Sequence, residues 1–408
     1  MSNRSWRSYL WLVLVLGSQS CFNDDTIDIS NQFIKFYNEG NAVDIVVTDG
    51  GFVLLGQGED DSFLTGIDNS GNVKWSITIP SFRAKDLLLD TSANFQGEYI
   101  VLGDATDTGP VDLVIRSFGA EGRFAGDNFM LDLSAIKQIR CTEQLLASQI
   151  AFDTDGGLLV FGNSKDCNDF DKPFIIKIDE NNNQQWSREL GSLDPLSNVA
   201  LSKSTFDYGS GEILLVYNVY GIGGPQDNSM IRVSKYNLIS GNEISLSSLG
   251  QADENYFVSE VIKTSGGFAM VGTWNTFTQR KQIFFYRLDP QGQFIAASEQ
   301  KFVGIKESIS NQGNKVEGQA LFRTKDGGFI ILGKSERNFS KNDFFLVRTR
   351  PDGMKIWDNF FGGDKEDESG RVILELKDNS LLIFGTRIIF NVATMTLIKT
   401  NSQGKLTD

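Results

Sequence analysis

A chain of 408 residues that is 40% hydrophobic and 22% charged has the composition of a folded globular protein, which excludes a disordered one. Its net charge of −14 argues against nucleic acid as a partner, because phosphate binding needs clustered Lys and Arg. Histidine is absent, which excludes Ser-His-Asp and Cys-His catalysis and every His-ligated zinc site.

The first predicted element is an export signal over residues 1–20. Arg4 and Arg7 form a positive start, Tyr9 to Leu16 an apolar run, and Gly17 to Ser20 a small or polar stretch before Cys21. The apolar run is too short to span a bilayer as a helix. This segment resembles the bacterial lipoprotein signal, in which the cysteine after the cleavage site is acylated; Ser18 stands where that motif usually has Leu. Phe22-Asn23-Asp24-Asp25 is similar to the residues after the cysteine in Bacteroidetes-type surface lipoproteins. The resemblance implies acyl chains (palmitate among them) on Cys21 and an outer-membrane location, on the periplasmic or cell-surface side. Several chains on one residue anchor stably. The alternative is a plain secretory signal with Cys21 an ordinary thiol. Residues 21–30 then form a short tether.

From residue 31 onward one phrase recurs, an apolar run ending in glycine and often opened by Gly-Gly. It reads Asp49-Gly-Gly-Phe-Val-Leu-Leu-Gly56, Gly97-Glu-Tyr-Ile-Val-Leu-Gly103, and Asp155-Gly-Gly-Leu-Leu-Val-Phe-Gly162. A degenerate copy, Gly211-Glu-Ile-Leu-Leu-Val-Tyr217, precedes Gly266-Gly-Phe-Ala-Met-Val-Gly272, Asp326-Gly-Gly-Phe-Ile-Ile-Leu-Gly333 and Asn379-Ser-Leu-Leu-Ile-Phe-Gly385. Each copy is preceded by a short strand such as Val258–Ile262 and followed by one such as Phe344–Thr349. A tight turn such as Asp68-Asn-Ser-Gly71 or Arg350-Pro-Asp-Gly353 then leads to a last strand, which begins near Trp75, Trp186 or Trp357 in three units.

Four short strands per unit, glycine turns and no helical period predict an all-β fold, a seven-bladed propeller of four-stranded antiparallel blades over residues 31–408. A lone sheet with apolar inner strands cannot bury both faces; radial packing buries them, and closing the ring removes exposed end blades. The seventh unit lacks a fourth strand, and Asn31–Gly40 resembles the fourth strands of other units, so it is expected to complete the last blade. The repeats resemble those of β-propeller lipoproteins with DGG[FY]hhhG blades, including uncharacterised ones of Bacteroidetes. They are distantly similar to the outer-membrane assembly propeller lipoprotein and to quinoprotein repeats, but without the Thr-Gly on which quinone docking rests. That resemblance implies fold more than function.

In such a fold, the turns from first to second and from third to fourth strand lie on one face, and the remaining connections lie on the other. Here the first set is short and uniform, the second long and varied, so a binding site is expected on the long-loop face. Cys141 and Cys167 both fall in loops there, and two cysteines in an oxidising compartment suggest a disulfide, with two free thiols as the alternative. Tyr220, Tyr256, Trp274 and Phe277 form a candidate aromatic patch for sugar rings or a protein partner, against a plain packing role. The acidic runs Glu59-Asp60-Asp61 and Asp364-Lys-Glu-Asp-Glu368, and Asp166, Asp169 and Asp171, read as solvated loops without EF-hand spacing. Asp44 and Glu260 lie on inner strands and either line the channel or serve acid-base work on a glycosidic bond.

No catalytic motif, metal site or cofactor motif stands out. The first expectation is therefore a non-enzymatic binding or scaffold module, held at the membrane by its lipid and binding a protein or glycan through the long-loop face. The alternatives are an exported carbohydrate-active hydrolase or lyase with carboxylates at the channel mouth, and a structural subunit of an envelope assembly or transporter complex.

Overall fold

The computed structural model describes residues 32–406 except 91–97, 106–111, 126–128, 131–144, 154, 166–170, 182, 190–197, 208–210, 221–228, 239–241, 251–253, 277–280, 304–314, 338–340 and 364–365. The signal segment, Cys21, Cys141, Cys167 and Phe277 lie outside the described residues. The rest forms seven four-stranded antiparallel sheets, a seven-bladed β-propeller. The innermost strands, from blade one to blade seven, are Asn41–Thr48, Phe82–Leu89, Leu145–Phe152, Asn198–Asp207, Glu254–Thr264, Val316–Arg323 and Asp367–Glu375.

Each apolar run of the repeat is the second strand of its blade, and its lack of alternation has a cause. Val53 and Leu55 pack into the seam between blades one and two, while Phe52 and Leu54 pack into the seam between blades seven and one. Both faces of every sheet are thus buried, and seven clusters fill seven seams. Each large apolar side chain so buried contributes about 1.5–3 kcal/mol.

The ring closes as the sequence predicts. Phe33–Glu39 runs antiparallel to Val392–Thr400, so the N-terminal strand is the outermost strand of blade seven. Trp75 and Trp357 pack where the neighbouring blade turns: a Cβ on Gly122 would strike the Trp75 ring, and one on Gly404 the Trp357 ring. Trp186 joins the seam of blades three and four. These tryptophans hold blades together.

The glycine that ends each run has a specific partner. In every blade the innermost strand carries a one-residue bulge, at Val43, Lys85, Ser148, Ser202, Ser259, Gln319 and Arg371. The residue before the bulge faces the repeat glycine in six blades, as Gly318 faces Gly333 and Gly370 faces Gly385. There the inner strand bends. A Cβ on Gly333 would sit 2.5 Å from the Glu317 carbonyl oxygen, and one on Gly385 2.5 Å from that of Ser369. At these two positions a side chain does not fit without a shift of the neighbouring backbone. Blade four has Tyr217 in this place, matching its degenerate repeat.

Candidate functional site

A bulge bends a strand and re-aims the side chain it carries. Ser259, Gln319 and Arg371, the bulged residues of blades five, six and seven, line a cavity of about 680 Å³ at the mouth of the central channel. Asn41, Ala42, Thr273, Lys281, Glu317 and Ile388 lie in the same wall. They stand at the starts of first strands or the ends of second strands, or just before a third. The cavity therefore opens on the face with the long, varied connections, where the sequence places the site.

The bulged residues also clasp blade to blade. Ser259 Oγ donates to the Gly318 carbonyl at 2.7 Å; Gln319 Nε2 donates to Ser369 Oγ at 2.6 Å, and its Oε1 accepts from the Gly370 amide at 2.8 Å. Arg371 Nε donates to the Val43 carbonyl at 2.7 Å, across the point where the ring closes. The series continues one position along: Asp44 accepts from the Leu87 amide at 3.3 Å and Asp86 from the Ile150 amide at 2.7 Å. Asp44, a candidate acid-base residue in the sequence, is thus engaged in holding blades one and two together.

Lys281, Glu317 and Arg371 in the wall, with Lys334 behind Glu317, define its electrostatics. Glu317 accepts from Lys281 Nζ at 2.5 Å through one oxygen and pairs with Lys334 Nζ at 3.0 Å through the other. Burial alone would push the Glu317 carboxyl up, but the hydrogen bonds and charges of the two lysines outweigh it and hold the carboxyl below its ordinary value. Glu317 is therefore ionised across the neutral range. Arg371 is exposed and lines the cavity, and its one hydrogen bond among the described residues is from Nε to Val43. In a chain of net charge −14, Lys281, Lys334 and Arg371 make the mouth locally cationic.

The candidate aromatic patch is built differently from its expectation. Tyr256 and Trp274 are not in loops; they belong to the strands Glu254–Thr264 and Gly267–Thr276, which extend further toward the long-loop face than the pattern suggests. Both rings are buried, at 2% and 4% exposure, in the seam of blades four and five. Their centroids lie 6.5 Å apart, Trp274 Nε1 donates to Glu254 at 3.2 Å, and Lys301 Nζ lies 3.7 Å from the Trp274 centroid. These two rings pack and do not present a surface. Tyr220 ends the strand Glu212–Tyr220 of blade four, and Phe277 lies outside the described residues.

The run Asp364–Glu368 is also corrected. Asp367 and Glu368 open the innermost strand of blade seven, and Glu368 is only 3% exposed. Burial, then the charges of Glu366 and Asp343, push its carboxyl up to about 8, against the opposing charge of Arg387. No group of acidic or cysteine side chains suited to a metal ion occurs among the described residues. Sequence reasoning missed Glu317, Lys281 and Arg371 as a set. The residue after the repeat glycine's partner, which is the bulge, could have found Arg371; Glu317 and Lys281 carry no such signal.

No family model and no curated protein matches the chain. Solved structures match its fold. A polysaccharide lyase of the PL25 ulvan lyase family, also solved bound to -[GlcA(1-4)Rha3S]-, superposes with a TM-score of 0.61 at 8% identity, over 90% of this chain and 96% of its own. The polysaccharide lyase Uly1 superposes with a TM-score of 0.50 at 11% identity, over 88% of this chain and 89% of its own. At that identity the likeness is one of fold. It nevertheless overturns the step from missing catalytic motifs to a non-enzymatic module, because the fold along nine-tenths of this chain is one that enzymes of polysaccharide breakdown use.

Proposed function

We propose that this protein is an exported carbohydrate-active enzyme that cleaves an acidic polysaccharide by β-elimination in the cavity at the channel mouth. The observation that carries the proposal is the ionised Glu317 held between Lys281 and Lys334 beside Arg371, in a cavity large enough for sugar units. Elimination next to a sugar carboxylate needs a cation to hold that carboxylate and a base for the α-proton. Arg371 holds the substrate carboxylate. Glu317 accepts the proton, the electron pair of that C–H bond forms the new C=C bond, and the glycosidic C–O bond breaks. The departing oxygen takes a proton from the Lys281 ammonium. Hydrolysis by paired carboxylates fits less well, since Glu317 is the one acid in the cavity wall among the described residues. The neighbouring lyases support this reading as users of the same scaffold.

The lipid at Cys21 belongs to the proposal too. The first strand enters at Phe33, opposite Lys399 and next to the short-turn face, and leaves at Glu39 on the long-loop face. An anchor just ahead of Phe33 turns the cavity away from the membrane, toward polymer in the surroundings.

The test is incubation of the purified chain with pectate, alginate and chondroitin sulfate, reading both new reducing ends and the ultraviolet absorbance of an unsaturated product. Reducing ends with absorbance support elimination; reducing ends alone would show a hydrolase, and neither product from any acidic polymer refutes the proposal. Loss of membrane association in Cys21→Ser tests the anchor.

A further inference from the structure

The second and third strands of blade seven, Leu381–Ile389 and Val392–Thr400, are joined by the two-residue turn Phe390–Asn391. Both residues have positive φ, 50° and 67°. That is the mirror-image hairpin turn, whose first position selects Asn, Asp or Gly because a larger side chain clashes with its own backbone there. A phenylalanine in the left-handed region is an outlier. It is not kept for packing either, since Phe390 is 88% exposed, more than any other large hydrophobic side chain among the described residues. Strained residues of this kind cluster at active sites and ligand clamps.

Thr386 and Ile388, on the same strand, line the cavity, and Phe390 stands two residues beyond Ile388 at the rim. Val392, across the turn, is exposed as well. The hairpin therefore continues the cavity wall outward and ends in a bare aromatic face. The opposite face, where the N-terminal strand enters, is the one an anchor would turn to the membrane, so Phe390 does not suit insertion into that bilayer.

We propose that Phe390 is a stacking platform for a pyranose ring of the polymer, one subsite outside the cleavage site. This rests on the functional reading above and adds where the polymer lies: along blade seven, from Arg371 past Ile388 to the turn. An aromatic ring covers the apolar face of a sugar while the hydroxyl groups stay in water. The contact selects for polymer over short fragments, because only a chain long enough to reach the rim gains it.

The experiment uses the full chain and pectate, alginate and chondroitin sulfate immobilised in affinity gels, with size-fractionated fragments of whichever polymer retards the wild type. Phe390→Ala is expected to weaken retention of the long polymer about tenfold, the scale of one aromatic stacking contact, and to leave fragments confined to the cavity unaffected. Phe390→Asn is expected to lose the same affinity while unfolding at higher denaturant, since it relieves the turn; Phe390→Trp is expected to keep or improve retention. Lys281→Ala separates the two readings. If Lys281→Ala weakens binding and Phe390→Ala does not, the cavity reading stands and the platform is refuted, leaving Phe390 as a contact for another protein. If no acidic polymer retards the wild type, the platform and the functional reading both fall.

Discussion

The carbonyl oxygen of Glu317 lies 2.5 Å from the position that a Cβ on Gly333 would take. Strand, bulge and cavity wall meet in that one contact: Glu317 lines the cavity two positions before the bulged Gln319, and Gly318 between them pairs with Gly333. Gly333→Ala forces backbone against side chain, and a Cβ there also strikes Ile283. The expected loss is about 1–3 kcal/mol, the usual range for overpacking, read as a lower denaturant midpoint. Gly119→Ala is the control: its φ is −80° and its nearest neighbour 3.8 Å away, so the midpoint should hardly move.

The clasps between inner strands should carry stability rather than chemistry. Asp86→Ala leaves the Ile150 amide without its acceptor and is expected to cost about 1–3 kcal/mol. Asp86→Asn keeps an acceptor and should recover much of that. Neither change should alter turnover measured on the folded fraction; an inner-strand carboxylate whose loss stops turnover without lowering stability would contradict this division.

Glu368 gives a pH dependence with a definite sign. Its folded value, about 8, lies above the ordinary 4.5, so between those limits the folded state binds more proton than the unfolded one. Stability should therefore fall as pH rises through that window and level off above it. Glu368→Gln should flatten the slope and be more stable than wild type on the alkaline side. Denaturant midpoints across the window decide it; a wild-type slope of opposite sign or an unchanged slope in the variant contradicts the burial argument.

Within the site, Glu317→Gln removes the proposed proton acceptor and is expected to lower kcat about a hundredfold or more. Lys281→Ala, on an exposed side chain, should lower turnover without loss of fold. Because Lys281 and Lys334 both stabilise the Glu317 carboxylate, removing either should shift the acid limb of the pH–rate profile upward.

Much of the architecture was legible before the structure. Seven copies of an apolar run and the missing last strand follow from local pattern and the need to close a ring. The site was legible only as a face. Arg371 and Val43 are 328 positions apart, and no local period reports that they meet. Tyr256 and Trp274 misled because the first strand of blade five starts earlier, and its second strand runs further past Gly272, than the pattern marks; a sheet buried on both faces offers no alternation to show where loop begins. Glu368 misled because an acidic run looks solvated until its strand is placed in a seam. The repeat glycine was visible as a motif, but its close approach to the carbonyl oxygen of the neighbouring inner strand, as at Gly333 and Gly385, exists only across the strand pair.

The most direct test of the account is the initial rate of unsaturated-product formation from an acidic polysaccharide, compared between wild type, Glu317→Gln and Lys281→Ala at equal folded fraction. Wild type should form product, and both variants should lose most of that rate. Product formed at wild-type rate by Glu317→Gln, or none formed by the wild type, would contradict a catalytic cavity at the channel mouth.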